Sequence, residues 1–137
     1  MPVAIENLIP HRAPMQWVNA LTDCTDKTAT ATACFGENDF AIVDGKVLET
    51  ALVELVAQTV AAGLGHQALT GTGKPGAAAI GLLVAASNFK IQSRPSAGKI
   101  LHIEVRERRR LGPMLLIAGS ISCEGQIIAS GDLSVYA

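Results

Sequence analysis

The sequence predicts an α+β domain in which an antiparallel β-sheet wraps around one long buried helix. The helix is indicated by residues 47–62, a run rich in alanine and leucine that contains neither proline nor glycine. Its apolar residues occur on nearly every side, and a helix of this kind is buried on every side. Four β-type segments separated by short turns follow it, and short turns connect antiparallel neighbours. One domain is therefore predicted over residues 1–137.

Two strands are predicted before the helix. Residues 15–21 and 28–35 flank a polar turn, and the second segment begins as alternating threonine and alanine. Strict alternation is typical of a strand with one buried face. Residues 2–14 and 36–45 are predicted to be irregular. Gly63 and Gly65 are predicted to end the helix.

A glycine-rich loop and four strands are predicted after the helix. The loop covers residues 70–76, and the strands cover about residues 79–89, 99–109, 114–123 and 126–136. The loop does not match a phosphate-binding loop, because Lys74 is followed by proline where serine or threonine is required. The turns between the strands contain glycine or proline, which favours tight connections.

Composition restricts the classes of function. Of the 137 residues, 49% are hydrophobic and 17% are charged, whereas an ordinary domain carries about 25% charge. We expect so apolar a chain to bury more than its own core, and therefore to be an oligomer. The net charge of −1 argues against nucleic-acid binding. Glu49, Glu54 and Gln58 in the helix argue against a membrane span. The three cysteines form no Cys-x-x-Cys pair, which predicts reduced thiols in a cytoplasmic protein.

Thr50, Glu54 and Gln58 form the first candidate site. Their spacing of four residues places them in one polar stripe on an otherwise apolar helix. Glu54 has no lysine or arginine within one turn, and we expect it to be largely buried. A carboxyl group in such surroundings suits acid or base catalysis. The alternative is a structural hydrogen bond from Glu54 to Gln58 or to the backbone of a partner.

The strand that begins near residue 99 carries the second candidate site. Its apolar side chains alternate with polar ones, and the polar face includes Arg106, Arg108 and Arg110. Further cations expected on this face are Lys90, Arg94 and Arg109. This face is either a solvated surface or a docking site for an acidic or phosphorylated partner. The three histidines of the chain lack metal-ligand spacing, so no metal site is predicted.

Three segments match the motifs of one known family in order and in spacing. Residues 8–15 read Leu-Ile-Pro-His-Arg-Ala-Pro-Met, residues 53–58 read Val-Glu-Leu-Val-Ala-Gln, and residues 88–99 contain Asn-Phe-Lys followed by Arg-Pro-Ser-Ala-Gly-Lys. They are similar to a Leu-Pro-His-Arg-x-Pro opening, a Glu-Ala-x-Ala-Gln helix motif and an Ala-Arg-Phe-x-x-Pro-Val-x-Pro-Gly-Asp stretch. Over nearly its whole length, the chain thus resembles the hotdog-fold 3-hydroxyacyl-[acyl-carrier-protein] dehydratases of fatty-acid synthesis.

The resemblance implies a hotdog fold and a dimer whose sheets join edge to edge, with the helices side by side. It also implies loss of water from a 3-hydroxyacyl thioester bound to acyl carrier protein, with no metal or organic cofactor. Glu54 is implied as the catalytic carboxylate, and Gln58 and Thr50 as supporting residues. A backbone N–H at the start of the helix would polarise the thioester carbonyl.

One departure from the family concerns its catalytic histidine. The family pairs the glutamate with a histidine of the other subunit, in a Gly-His-Phe-Pro-Gly segment before the helix. This chain has no histidine between Gly36 and Val47, and the expected position falls near Phe40. In this respect it resembles the divergent dehydratase-like subunits of bacterial aryl-polyene clusters, which pair with a dehydratase that keeps its histidine.

The missing histidine has a direct consequence for assembly. A homodimer of this chain would contain no complete catalytic pair, whereas a heterodimer would contain one, formed by the histidine of the partner and Glu54. Dehydration by the chain alone would instead require another group, such as Asp39 or Asp44. Two other functions stay open: a hotdog thioesterase in which Glu54 activates water or attacks the carbonyl, and a non-catalytic acyl-binding or structural subunit.

Overall fold

The structure is a computed structural model that describes residues 3–4, 17–70 and 82–136. The segment 8–15 with its histidine and most of the glycine-rich loop at residues 70–76 lie outside the described residues. The elements of the described residues, in chain order, are β1 (Val3–Ala4), β2 (Val18–Cys24), β3 (Thr28–Ala33), β4 (Ile42–Val43), β5 (Lys46–Val47), α1 (Glu49–Thr70), β6 (Leu82–Ile91), β7 (Leu101–Leu111), β8 (Met114–Cys123) and β9 (Gln126–Tyr136).

Seven of these strands form one antiparallel sheet with the order β1-β2-β3-β7-β8-β9-β6, and β4 pairs with β5 in a separate hairpin. The inner face of the sheet packs against α1. Its alternating apolar residues, such as Ile103, Ile121 and Leu133, share the core with Leu52 and Leu55 of the helix, and all five are almost fully buried. The predicted α+β class, with one sheet against one long helix, is confirmed.

The predicted end of the helix is wrong, because α1 continues through Gly63 to Thr70. A Cβ atom on Gly63 would lie 3.1 Å from the Cβ atom of Ala29 in β3. The glycine therefore allows close contact between helix and sheet. A glycine inside a helix costs only about 1 kcal/mol relative to alanine, which tertiary packing can offset.

One side of α1 is not covered by the sheet. This side carries Val53, Ala57 and Ala61, which are four residues apart, and Glu54 next to Val53. All four side chains are only partly buried, and Thr50 in the first turn is exposed. The prediction of a helix buried on every side is therefore wrong for the single chain. In the described residues, no helix is long and apolar enough to cross a membrane.

The strand boundaries follow local turn chemistry. β8 and β9 cover the predicted residues, and the turn between them places Glu124 and Gly125 at φ +52° and +79°, as a tight hairpin requires. β2 ends later than predicted because the turn after it is shorter. The hydroxyl oxygen of Thr25 accepts hydrogen bonds from the backbone N–H groups of Lys27 and Thr28, at 3.2 and 3.0 Å.

Candidate active site

Gln58 connects Glu54 to the start of β2. Its side chain is fully buried, and its Oε1 accepts hydrogen bonds from the backbone N–H groups of Trp17 and Val18, at 3.0 and 3.1 Å. Its Nε2 donates to Oε1 of Glu54 at 3.3 Å. Because two N–H donors fix the oxygen end of the amide, the nitrogen end must face the carboxylate. Gln58 thereby orients Glu54.

Glu54 lies on the uncovered side of α1 and is half-buried, less than expected from the apolar sequence around it. Thr50, one turn earlier, is exposed, and no hydrogen bond between it and Glu54 occurs among the described residues. The polar stripe of the sequence thus runs from solvent at Thr50 to the interior at Gln58. The structure brings Glu54 and Gln58 together and leaves Thr50 outside this pair.

The segment before the helix holds an aromatic residue where the family histidine is expected. Phe40 is 53% exposed, and its ring centroid lies 5.8 Å from that of Trp17. Trp17 also contacts Phe35 edge to face at 5.8 Å. Phe40 is therefore part of an aromatic cluster and has no group that could exchange a proton.

The carboxylates of the same segment take part in turns. Oδ2 of Asp39 accepts a hydrogen bond from the backbone N–H of Gly36 at 2.7 Å. Asp44 and Gly45 form the turn between β4 and β5, with φ values of +56° and +77°. This hairpin was not predicted. An Asp-Gly pair between apolar residues is its signal, and it is present at positions 42–47.

Arg94 anchors this hairpin to the segment that connects β6 and β7. Its Nε donates to the carbonyl oxygen of Val47 at 2.8 Å, and its Nη2 donates to the carbonyl oxygens of Val43 and Lys46 at 3.2 Å each. The N–H of Val47 in turn donates to the carbonyl oxygen of Pro95 at 2.9 Å. The expectation that Arg94 extends the basic face of the sheet is wrong, because its guanidinium group turns towards the hairpin.

The basic strand β7 does not carry its arginines on one face. Glu107 pairs with Ile117 and Arg109 with Leu116, so Arg108 is an extra residue in a β-bulge, which reverses the alternation beyond it. As a result Arg110 turns to the helix side of the sheet, where its Nη2 lies 3.7 Å from Oε1 of Glu107. The predicted common face of the three arginines is wrong for this residue.

The outer face of the sheet keeps the other arginines. Arg106 and Lys90 line a shallow groove of about 470 Å³ whose floor consists of small residues of β8 and β9. Arg108 borders an adjoining groove of about 350 Å³, and its Nη1 lies 3.3 Å from Oδ1 of Asp132. The outer face is therefore a polar surface on which these cations lie beside the carboxylates Glu104 and Asp132.

Cys24 lies at the opposite end of α1 from the hairpin. It lines a cavity of about 60 Å³ between the helix and the sheet, and its Sγ lies 3.7 Å from the carbonyl oxygen of Gly63. Burial, together with the negative charge of Asp23, raises the pKa of the Cys24 thiol, which disfavours the nucleophilic thiolate. No group of three or more His, Cys, Asp or Glu residues that could hold a metal ion occurs in the described part of the chain.

Comparison with solved structures shows the hotdog fold. The ApeI:P dehydratase heterocomplex of Xenorhabdus doucetiae is similar with a TM-score of 0.84 and 19% identity, over 98% of this chain and 90% of that chain. Mouse thioesterase superfamily member 2 gives a TM-score of 0.68 and 13% identity, over 89% and 83%. The E. coli PaaI protein gives 0.68 and 13%, over 85% and 81%.

Comparison with protein families separates the dehydratase interpretation from the thioesterase one. The curated proteins contain no match to this sequence. The family model described as ApeP-like, ApeP dehydratase, matches residues 3–137. At 13% identity the mouse thioesterase superfamily member shows only a shared fold, whereas the family model matches the sequence itself over residues 3–137. The chain therefore belongs to the ApeP-like dehydratase family.

Proposed function

We propose that this chain is the glutamate-bearing subunit of a heteromeric dehydratase, which removes water from 3-hydroxyacyl thioesters bound to acyl carrier protein. The observation that carries the proposal is the Glu54–Gln58 pair in a chain whose segment before the helix has Phe40, and no histidine, near the position where the family has one. Glu54 is held in one orientation and faces the uncovered side of α1. The chain supplies half of an acid–base pair in a place that a second subunit can reach.

The reaction needs two groups that exchange protons. One group removes the proton from C2 of the thioester and the other protonates the departing hydroxyl on C3, so that an enoyl thioester and water form. Glu54 is one of these groups, and the histidine of the partner is the other. The thioester carbonyl acidifies C2, and backbone N–H groups at the start of α1 polarise this carbonyl.

The described histidines of this chain are poorly placed to complete the pair. His66 lies twelve residues beyond Glu54 in α1, which is about 18 Å along the helix axis. His102 is exposed on the outer face of β7. Among the described residues no histidine is placed to complete the pair, so we propose that a partner brings the second group. The heterocomplex named for the similar ApeI:P structure supports an assembly of this kind.

Two surfaces of the chain fit such a partner. The ten-residue strand β6 is the last strand at one edge of the sheet, and an exposed edge strand is a template for pairing with another sheet. Val53, Ala57 and Ala61 leave an apolar strip beside Glu54 only partly buried. A partner that covers this strip would enclose the carboxylate.

The test separates three functions by product. We would mix the chain with a histidine-bearing hotdog dehydratase whose own helix carboxylate has been replaced by glutamine, and supply 3-hydroxyacyl carrier protein. We expect neither protein alone to act and the mixture to release the enoyl product, detected by mass spectrometry. Strong dehydration by the chain alone would contradict the proposal. Release of free carrier thiol would indicate a thioesterase, and no turnover a non-catalytic subunit.

The outer face of the sheet is proposed as the docking surface for the acidic carrier protein. Lys90 and Arg106 line one groove of this face and Arg108 and Arg109 line the adjoining one, with Glu104 and Asp132 as the carboxylates among them. An excess of cations of this kind speeds association with an acidic partner and fixes its register. We expect the double substitution Arg106→Gln and Arg108→Gln to weaken carrier binding several-fold at low salt, measured by titration calorimetry. Arg110→Gln is the matched control, because Arg110 faces the helix side. Equal affinities for all three proteins would show that this face is only solvated.

A further inference from the structure

We infer that Arg94 is a positioning residue for the dehydration, because it fixes the junction between the β4–β5 hairpin and α1. The inference rests on the proposed function, in which N–H groups at the start of α1 polarise the thioester carbonyl. Arg94 lies in the chain segment between β6 and β7, far in sequence from the hairpin. Its three hydrogen bonds reach the carbonyl oxygens of Val43, Lys46 and Val47.

The carbonyl oxygens that accept these hydrogen bonds lie shortly before the first residue of the helix. Val47 is buried and precedes the first helical residue by two positions, and the N–H of Leu48 donates to the carbonyl oxygen of Ala41 at 2.8 Å. The carbonyl oxygen of Leu48 is the first to accept hydrogen bonds from the helix, from the N–H groups of Ala51 and Leu52. The junction is therefore held on both sides, and Arg94 connects it to the segment between β6 and β7.

The first turn of the helix keeps two N–H groups available. Among the described residues, the backbone N–H groups of Glu49 and Thr50 have no backbone acceptor, as is general for the start of a helix. Their direction depends on the path of the preceding residues, 43–48. The planar guanidinium group of Arg94 holds three carbonyl oxygens of that path at once, and its rigid fork of donors fixes their positions more closely than the rotatable donors of a lysine ammonium group would.

The charge of Arg94 adds a second argument. The start of a helix carries partial positive charge, so a cation beside it is unfavourable for the helix itself. Arg94 is nevertheless held at Val47 by a 2.8 Å bond. The partial positive charge of the helix start and the charge of Arg94 both favour a negative charge near the start of α1. The thioester oxygen gains such a charge when C2 loses its proton. Arg94 therefore supports the transition state by placing the N–H groups and by its field.

The test compares Arg94→Met with Arg94→Lys in the active heteromeric complex. We expect Arg94→Met to reduce kcat at least tenfold with less than threefold change in KM, and to increase amide exchange over residues 42–50 at least tenfold. Arg94→Lys keeps the charge but not the planar donors, and we expect an intermediate kcat with the same increase in exchange. Lys99→Met is the matched control, since it removes an exposed cation from the same connecting segment and should leave both quantities unchanged.

The outcomes separate this inference from the proposed function. If the wild-type complex dehydrates its substrate and Arg94→Met has an unchanged kcat, the positioning role of Arg94 is wrong and the function stands. If Arg94→Met lowers only the unfolding temperature, with kcat per folded complex and amide exchange at 42–50 unchanged, the role is also wrong. If the wild-type complex is inactive, the function fails, and the exchange measurement alone still decides whether Arg94 holds the junction.

Discussion

Replacing Glu54 by glutamine in the active complex is expected to reduce the rate of dehydration by about 10²–10⁴-fold, the usual contribution of a general acid or base. The amide keeps the size of the side chain but cannot exchange a proton in the same way. Its oxygen can still accept the hydrogen bond from Nε2 of Gln58, which Glu54 accepts at 3.3 Å. Folding and assembly should therefore change little, and the measured quantity is kcat with 3-hydroxyacyl carrier protein.

A matched variant shows whether the loss is specific. Glu124 lies in the turn between β8 and β9, where its side chain is 70% exposed and pairs with Lys99. Glu124→Gln removes a carboxylate in the same chemical way, and we expect it to leave kcat unchanged. A structural role of Glu54 predicts another pattern, in which Glu54→Gln keeps turnover and lowers only the unfolding temperature. That result would remove Glu54 from the reaction.

The pairing of Glu54 with Gln58 could be predicted from sequence because it depends on one helix. Residues four positions apart share a helix side whatever the rest of the fold does, and the structure joins the two side chains at 3.3 Å. The partial burial of Glu54 could not be predicted in this way. It depends on which side of α1 the sheet leaves uncovered, and composition alone does not specify that side.

The positions of the arginines of β7 could be predicted only in part from the alternation of side chains along a strand. The period of two residues holds from Leu101 to Glu107, where buried and exposed side chains alternate. The bulge at Arg108 then shifts the register, and Arg110 changes face. A bulge depends on how two strands pair, so the sequence of one strand does not reveal it. The position of Arg94 was predicted wrongly for a similar reason, since its hydrogen-bond partners lie in a hairpin about fifty residues earlier.

Gly119→Ala is expected to lower the free energy of unfolding by about 1–3 kcal/mol, the usual cost of an extra methyl group in a well-packed core. Gly119 is a buried residue of β8 beneath α1. A Cβ atom there would overlap with Cγ1 of Val56 and would lie 3.5 Å from the Cβ atom of the same residue. Val56 is β-branched and fully buried, so it has few other rotamers in a helix and the helix itself has to move. Denaturant unfolding measures the effect.

Two further variants identify the contact as the cause. In Gly36→Ala the new Cβ atom would meet only Oδ2 of Asp39, at 3.8 Å, so we expect stability close to that of the wild type. In Gly119→Ala combined with Val56→Ala the overlapping methyl groups are gone, so the double variant should lose less than the sum of the two single losses. Additive losses would mean that Gly119 and Val56 do not interact.

Because Val56 lies two residues after Glu54, a helix displaced at Val56 also moves the carboxylate. We therefore expect Gly119→Ala to lower kcat as well, and the Val56→Ala change to restore part of it.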